Sequence, residues 1–114
     1  MTEQAGWIAV CASERLMERA LIPARVDGIE LVVVRDAGQI YAFERACPHE
    51  QADLCRGDVR DGRLFCPRHR ASFDLRDGKI STGWPSRDLR RYPARIADGQ
   101  VWVDVKATCF NKMP

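Results

Sequence analysis

Residues 66–74 read CPRHRASFD, and residues 47–51 read CPHEQ. The chain has 114 residues and only two histidines, and both fall within these stretches, each close behind a Cys-Pro pair. Cys47-x-His49 and Cys66-x-x-His69 are separated by the 16 residues from Glu50 to Phe65. Each pair is close enough for one loop to present both side chains on the same side. Pro48 and Pro67 fix φ just after each cysteine and lower the entropy lost when the loop binds a ligand. Two thiolates and two imidazoles suit either tetrahedral zinc or an iron–sulfur centre.

The segments around this motif read as short strands and turns. Apolar alternation or β-branched content marks 7–10, 30–35, 39–44, 63–66, 92–97 and 101–105. Asp27-Gly28, Asp61-Gly62, Asp77-Gly78 and Asp98-Gly99 are tight-turn pairs, because both residues tolerate a positive φ. Many short strands with frequent turns predict an all-β fold, a sandwich or barrel, rather than βαβ units. One stretch, SERLMERAL at 13–21, reads as a brief helix with Ser13 at its N-cap. The block 45–91 is rich in Arg, Asp, Gly and Pro and reads as a loop-built insert. On this division 1–44 and 92–106 form a scaffold, 107–114 is a tail, and the whole is one domain.

Composition narrows the class further. The chain is 46% hydrophobic and 30% charged, as in ordinary soluble proteins. Its longest aliphatic run, LVVV at 31–34, is far too short to span a membrane. The amino terminus lacks the pattern of a signal peptide, and a cytoplasmic location is expected. Five cysteines (11, 47, 55, 66 and 109) form no regular framework; Cys11, Cys55 and Cys109 are expected to be buried thiols. Net charge is +2, too small for a nucleic-acid footprint. Eleven basic residues face seven acids within 45–91, whereas 1–44 has four against seven. The positive bias therefore coincides with the Cys/His segment.

Zinc sites usually pair Cys with Cys and His with His, whereas each loop here carries one of each. C-x-H, sixteen residues, then C-x-x-H resembles the Rieske [2Fe–2S] signature. Phe73 and Gly78, four and nine positions after His69, extend the likeness, as do Gly83-Trp84-Pro85 and the closing YPARIADGQVWVDV at 92–105. The resemblance implies three stacked antiparallel sheets with the cluster-binding subdomain at one end. It also implies Cys47, His49, Cys66 and His69 as ligands, with the cysteines on one iron and the histidines on the other. Two ferric ions, two sulfides and two thiolates with neutral imidazoles sum to zero charge, so this centre accepts an electron more readily than a four-thiolate one.

High-potential members of the family have bridging cysteines where this chain has Ala52 and Arg68. They have hydroxyl donors where it has Ala71 and Phe73, and Ser72 is displaced by one position. A low potential follows, near the bottom of a range of roughly −150 to +300 mV. Glu50 departs from the glycine that often follows the first histidine in oxygenase ferredoxins. With both histidines used and no G-x-G-x-x-G motif, neither a mononuclear iron site nor a dinucleotide site is expected. The expected function is electron transfer, from a flavin-dependent ferredoxin reductase to a terminal oxygenase acting on aromatic rings, with docking near His49 and His69. The histidines are expected to titrate, so that the potential falls at alkaline pH. Arg68, Arg70, Arg87, Arg90 and Arg91 are candidates for the docking rim; the alternative for them is solubility and local pairing with Asp74, Asp77 and Asp88. A small Rieske-like subunit of a nitrite reductase and a zinc-stabilised interaction module are the competing readings.

Overall fold

The structure, a computed structural model, describes residues 6–48, 52–67, 71–81 and 87–107. Its strands are β1 (Trp7–Ala12), β2 (Leu21–Val26), β3 (Ile29–Asp36), β4 (Gln39–Glu44), β5 (Asp58–Arg60), β6 (Arg63–Phe65), β7 (Ser72–Asp74), β8 (Arg91–Tyr92), β9 (Ala94–Ala97) and β10 (Gln100–Asp104). They form three antiparallel sheets ordered β1-β10-β9, β2-β3-β4-β8 and β5-β6-β7. This is the all-β, three-sheet architecture that the resemblance implied.

The turns explain how the strands meet. At Asp27-Gly28, Asp61-Gly62 and Asp98-Gly99 both residues have φ between 52° and 79°, as a two-residue hairpin with a primed turn requires. These join β2 to β3, β5 to β6 and β9 to β10. Asp77-Gly78 differs, because only the glycine has a positive φ, 77°. The Gly78 N–H donates to the Asp74 carbonyl, and its own carbonyl accepts from the Leu89 N–H. A Cβ at Gly78 would overlap the Leu89 carbonyl oxygen. That glycine is needed for close approach as well as for its φ.

The middle sheet is covered on both faces. Leu31, Val32, Val33 and Val34 of β3 are all completely buried. Val32 and Val34 pack with Phe43, Leu54, Leu64 and Phe73 on the side of the β5-β6-β7 sheet. Leu31 and Val33 pack with Ile22, Val101 and Val103 on the side of the β1-β10-β9 sheet. A strand buried on both faces has no polar alternation, and the LVVV run is the result.

Three expectations need correction. The helix at 13–21 shrinks to α1, Arg15–Glu18, whose N-cap is Glu14 with no side-chain cap bond. Leu21 belongs instead to β2, where Leu21 and Ile22 are both buried. The hydrophobic gain of seating adjacent residues on opposite faces of the middle sheet outweighs a weak local helix preference. β2 was hidden by Pro23, which is tolerated because β2 is at the sheet's edge and Pro23 itself is exposed. The single strand expected at 92–97 is broken at Pro93, with β8 in the middle sheet and β9 in the β1-β10-β9 sheet. Proline has no N–H to donate, and the Pro93 carbonyl accepts from Asp104 as the chain changes sheets.

Gly62→Ala and Gly78→Ala test this account in urea unfolding. The first, at φ 71° in open space, is expected to lose about 1 kcal/mol. The second is expected to lose at least about twice that, because the added methyl group meets backbone.

Candidate metal centre

The chain leaves β4 through Arg45 and Ala46 to reach Cys47, and leaves β6 directly into Cys66. Each cysteine opens a loop closed by the same bond. The Cys47 N–H donates to the Ala52 carbonyl at 2.8 Å, and the Cys66 N–H donates to the Ala71 carbonyl at 2.8 Å. In both cases the acceptor is five residues on. Just outside these bonds, Ala46 bridges to Asp53 and Phe65 pairs with Ser72, so each loop is closed at its base by antiparallel pairing.

Cys47 and Cys66 are 0% and 4% exposed and belong to one packed cluster with Ala52, Ala71, Leu64 and Phe73. The structure thus brings together the two predicted sulfur ligands, from residues 19 apart in sequence. His49 and His69 lie outside the described residues. So do Glu50, Arg68, Arg70, the Gly83-Trp84-Pro85 segment and Cys109. Among the described residues no group of three or more His, Cys, Asp and Glu side chains forms a metal site. Two buried thiols in one apolar cluster, on matched loops that each carry a histidine, fit the donor chemistry of a mixed thiolate–imidazole cluster.

Ala52, Ala71 and Phe73 are buried and carry no sulfur or hydroxyl. Ser72 is 4% exposed, and its hydroxyl oxygen accepts from Arg63 Nε at 2.7 Å. Cys55 sits on a 3-10 turn, Leu54–Arg56, whose first N–H groups are capped by Asp53 through Cys55 N at 2.9 Å. Burial pushes its thiol up to about 11, and Cys11 is shifted upward for the same reason. Both are half-buried rather than fully buried as expected.

The expected docking rim is partly committed elsewhere. Arg87 forms a two-pronged pair with Glu44 at 2.6 and 2.8 Å rather than with the Asp88 carboxylate. The Arg90 backbone N–H also donates to Glu44, at 2.7 Å. Asp74 is held at about 2, well below the usual carboxylate range, chiefly by the Arg76 side chain. Arg76 Nε and Nη2 donate to it at 3.1 and 2.9 Å.

Two basic residues not singled out from the sequence lie beside Cys66 instead. A cleft of about 620 Å³ is lined by Arg56, Asp58, Arg60, Phe65, Cys66 and Pro67. The Arg60 guanidinium stacks 3.9 Å from the centre of the Phe65 ring and pairs with Asp58 at 3.0 Å. The signal was present as RGDVR at 56–60, but Arg60 meets Phe65 only once the Asp61-Gly62 turn folds β5 onto β6.

Residues 6–93 match the model of the Rieske [2Fe–2S] domain, and the chain belongs to that family. Its prosthetic group is accordingly a [2Fe–2S] cluster. Over 99 residues it is 28% identical to the ferredoxin component of a naphthalene 1,2-dioxygenase system of Pseudomonas putida, a match covering 87% of this chain and 95% of that one. It is 39% identical over 83 residues to an anthranilate 1,2-dioxygenase ferredoxin subunit of Burkholderia cepacia, covering 72% and 77% of the two chains. A solved complex of reduced oxygenase and oxidized ferredoxin in carbazole 1,9a-dioxygenase contains a chain that superposes with a TM-score of 0.77. Identity there is 26%, with 89% of this chain and 94% of that one covered.

The Asp74 pair has a consequence for acid stability. Its folded pKa of about 2 lies below the ordinary value of 3.8. The stabilisation is therefore complete above about pH 4 and is lost as pH falls through about 2. Asp74→Asn is expected to flatten that part of the stability–pH curve, measured by thermal unfolding between those pH values.

Proposed function

We propose that this chain is a soluble, cytoplasmic one-electron carrier with a low-potential Rieske cluster held by Cys47, His49, Cys66 and His69. It takes electrons from a flavin-dependent ferredoxin reductase and passes them to a terminal oxygenase acting on aromatic rings. The observation that carries this reading is the pair of matched loops, each closed from Cys N–H to the fifth carbonyl beyond, with both thiols in one buried cluster. Residues 45–91 then act as a cluster-binding insert on the 1–44 and 92–106 scaffold.

The cluster supplies a single one-electron step, and the residues around it supply burial and tuning. A low potential is supported by the residues on the sulfur side: Ala71 and Phe73 offer no hydroxyl to stabilise the extra negative charge. Among the described residues the buried Ser72 hydroxyl is engaged with Arg63. The names of the relatives support the oxygenase partner, and the superposition on a chain of an oxygenase–ferredoxin complex supports transient docking.

Docking on this chain uses the cleft beside Cys66. Arg56 and Arg60 are exposed there and suit a carboxylate-bearing segment of the partner. Phe65 holds the Arg60 guanidinium flat, which reduces the entropy lost on pairing.

Purified protein is expected to be reddish-brown, with iron and acid-labile sulfide and a voltammetric midpoint below zero. A colourless zinc protein overturns the carrier reading, and a midpoint clearly above zero overturns the low-potential assignment. Joint replacement Arg56→Glu and Arg60→Glu is expected to slow reduction by a ferredoxin reductase about tenfold at low ionic strength. The midpoint should stay unchanged and the difference should shrink in high salt; stopped-flow traces across a salt series measure both.

A further inference from the structure

The two cysteine loops share a second feature beyond their closing bonds. At the sixth position after each cysteine stand Asp53 and Ser72, directly following the alanines whose carbonyls close the loops. Each accepts from an arginine on the opposite arm of its own hairpin. Arg45, two residues before Cys47, donates Nε to Asp53 Oδ1 and Nη2 to Oδ2, both at 2.9 Å. Arg63, three residues before Cys66, donates Nε to Ser72 Oγ at 2.7 Å and Nη2 to the Ser72 carbonyl at 3.2 Å.

We propose that Arg45 and Arg63 are positioning residues, a matched pair of clamps that set the cluster loops by fixing the residue next to each loop-closing carbonyl. This rests on the loops holding the cluster, as argued above. Arg45 spans its hairpin with two parallel donors on one carboxylate, a geometry that restrains orientation as well as distance. Arg63 spans its own with Nε on the Ser72 hydroxyl and an Nη2 shared between the Ser72 carbonyl and, at 3.3 Å, the Lys79 carbonyl. Fixing Asp53 and Ser72 fixes the adjacent Ala52 and Ala71 carbonyls. Those carbonyls in turn fix the Cys47 and Cys66 N–H groups, and so the direction in which each thiol leaves the backbone.

The two clamps are not equally supported. The base of the second loop also has three paired positions between β6 and β7, Arg63 with Asp74, Leu64 with Phe73 and Phe65 with Ser72. Among the described residues, the base of the first has the isolated Ala46–Asp53 bridge, together with Leu54 N–H to the Arg45 carbonyl at 2.8 Å. Asp53 is also shared, since Oδ1 accepts from Cys55 N–H as well as from Arg45. Glu30 reaches Arg45 from β3 at 3.4 Å and ties the clamp to the middle sheet. The first loop therefore depends more heavily on its arginine than the second.

The test uses the cluster-loaded full chain and its variants R45Q, R45K, D53N and R63Q. The readouts are the midpoint potential, the electron paramagnetic resonance g-values of the reduced protein and the rate of cluster loss on mild heating. R45Q and D53N are expected to shift the midpoint and g-values and to speed cluster loss about tenfold, as for removal of an outer partner of a metal ligand. R63Q should shift them in smaller measure. R45K keeps the charge but cannot span both carboxylate oxygens, and is expected to restore only part of the loss. Should R45Q fail to fold, D53N and R45K carry the same comparison. Variants that melt earlier but keep wild-type g-values and midpoint would reduce the clamps to structural ties and overturn the proposal. A wild-type protein without iron and sulfide would instead overturn the carrier reading on which it rests.

Discussion

The site depends on one repeated backbone constraint, a cysteine N–H bonded to the carbonyl five residues further on. Closing a loop of six residues on itself restrains its backbone before any ligand arrives, and the following proline removes one more torsion. Because the constraint occurs twice with the same spacing, both cysteine N–H groups are held in the same way. The proposed centre draws one thiol and one imidazole from each loop. The loops would not hold it alone, since a short hairpin tip has little apolar surface of its own.

Support comes from the middle sheet. Its β3 strand is buried on both faces, so a single run of four aliphatic residues anchors both the sheet that carries the second cysteine loop and the sheet that joins the two ends of the fold. Completely burying each of these side chains contributes on the order of 2 kcal/mol. The cysteines are packed into the same core as Val32, Val34 and Phe43, which excludes water from the sulfur side. In the proposed carrier, polar tuning then falls to backbone N–H groups and to the few hydroxyls nearby. Among the described residues the buried hydroxyl beside the second loop, Ser72, faces an arginine.

Much of the fold could be read locally. The Asp-Gly pairs at 27, 61 and 98 predict hairpins because both positions accept a positive φ, a property of the residues themselves. LVVV was legible as strand, though its burial on two faces was not, since nothing local says what will cover a surface. β2 escaped notice for two local reasons, a proline within it and helix-favouring residues before it, and sheet packing overrode both. β5 and β7 are three residues each, too short for a period-two pattern to declare itself. At the site, the Cys/His spacing was explicit, whereas Arg45, Arg56, Arg60 and Arg63 looked like part of a diffuse basic segment.

What the chain of residues determined unaided was the pattern of candidate ligands, two cysteines and two histidines in paired motifs, and the turns that enforce antiparallel strands. These are matters of residue identity and short spacing, which act over a few bonds. Only the tertiary structure decided which charges matter. It assigned Arg87 to Glu44, Arg45 to Asp53, Arg63 to Ser72 and Arg60 to Asp58, and placed Arg56 and Arg60 beside Cys66. Charge pairing depends on distances that strand register sets, and register brings together residues whose separation along the chain carries no information about their separation in space.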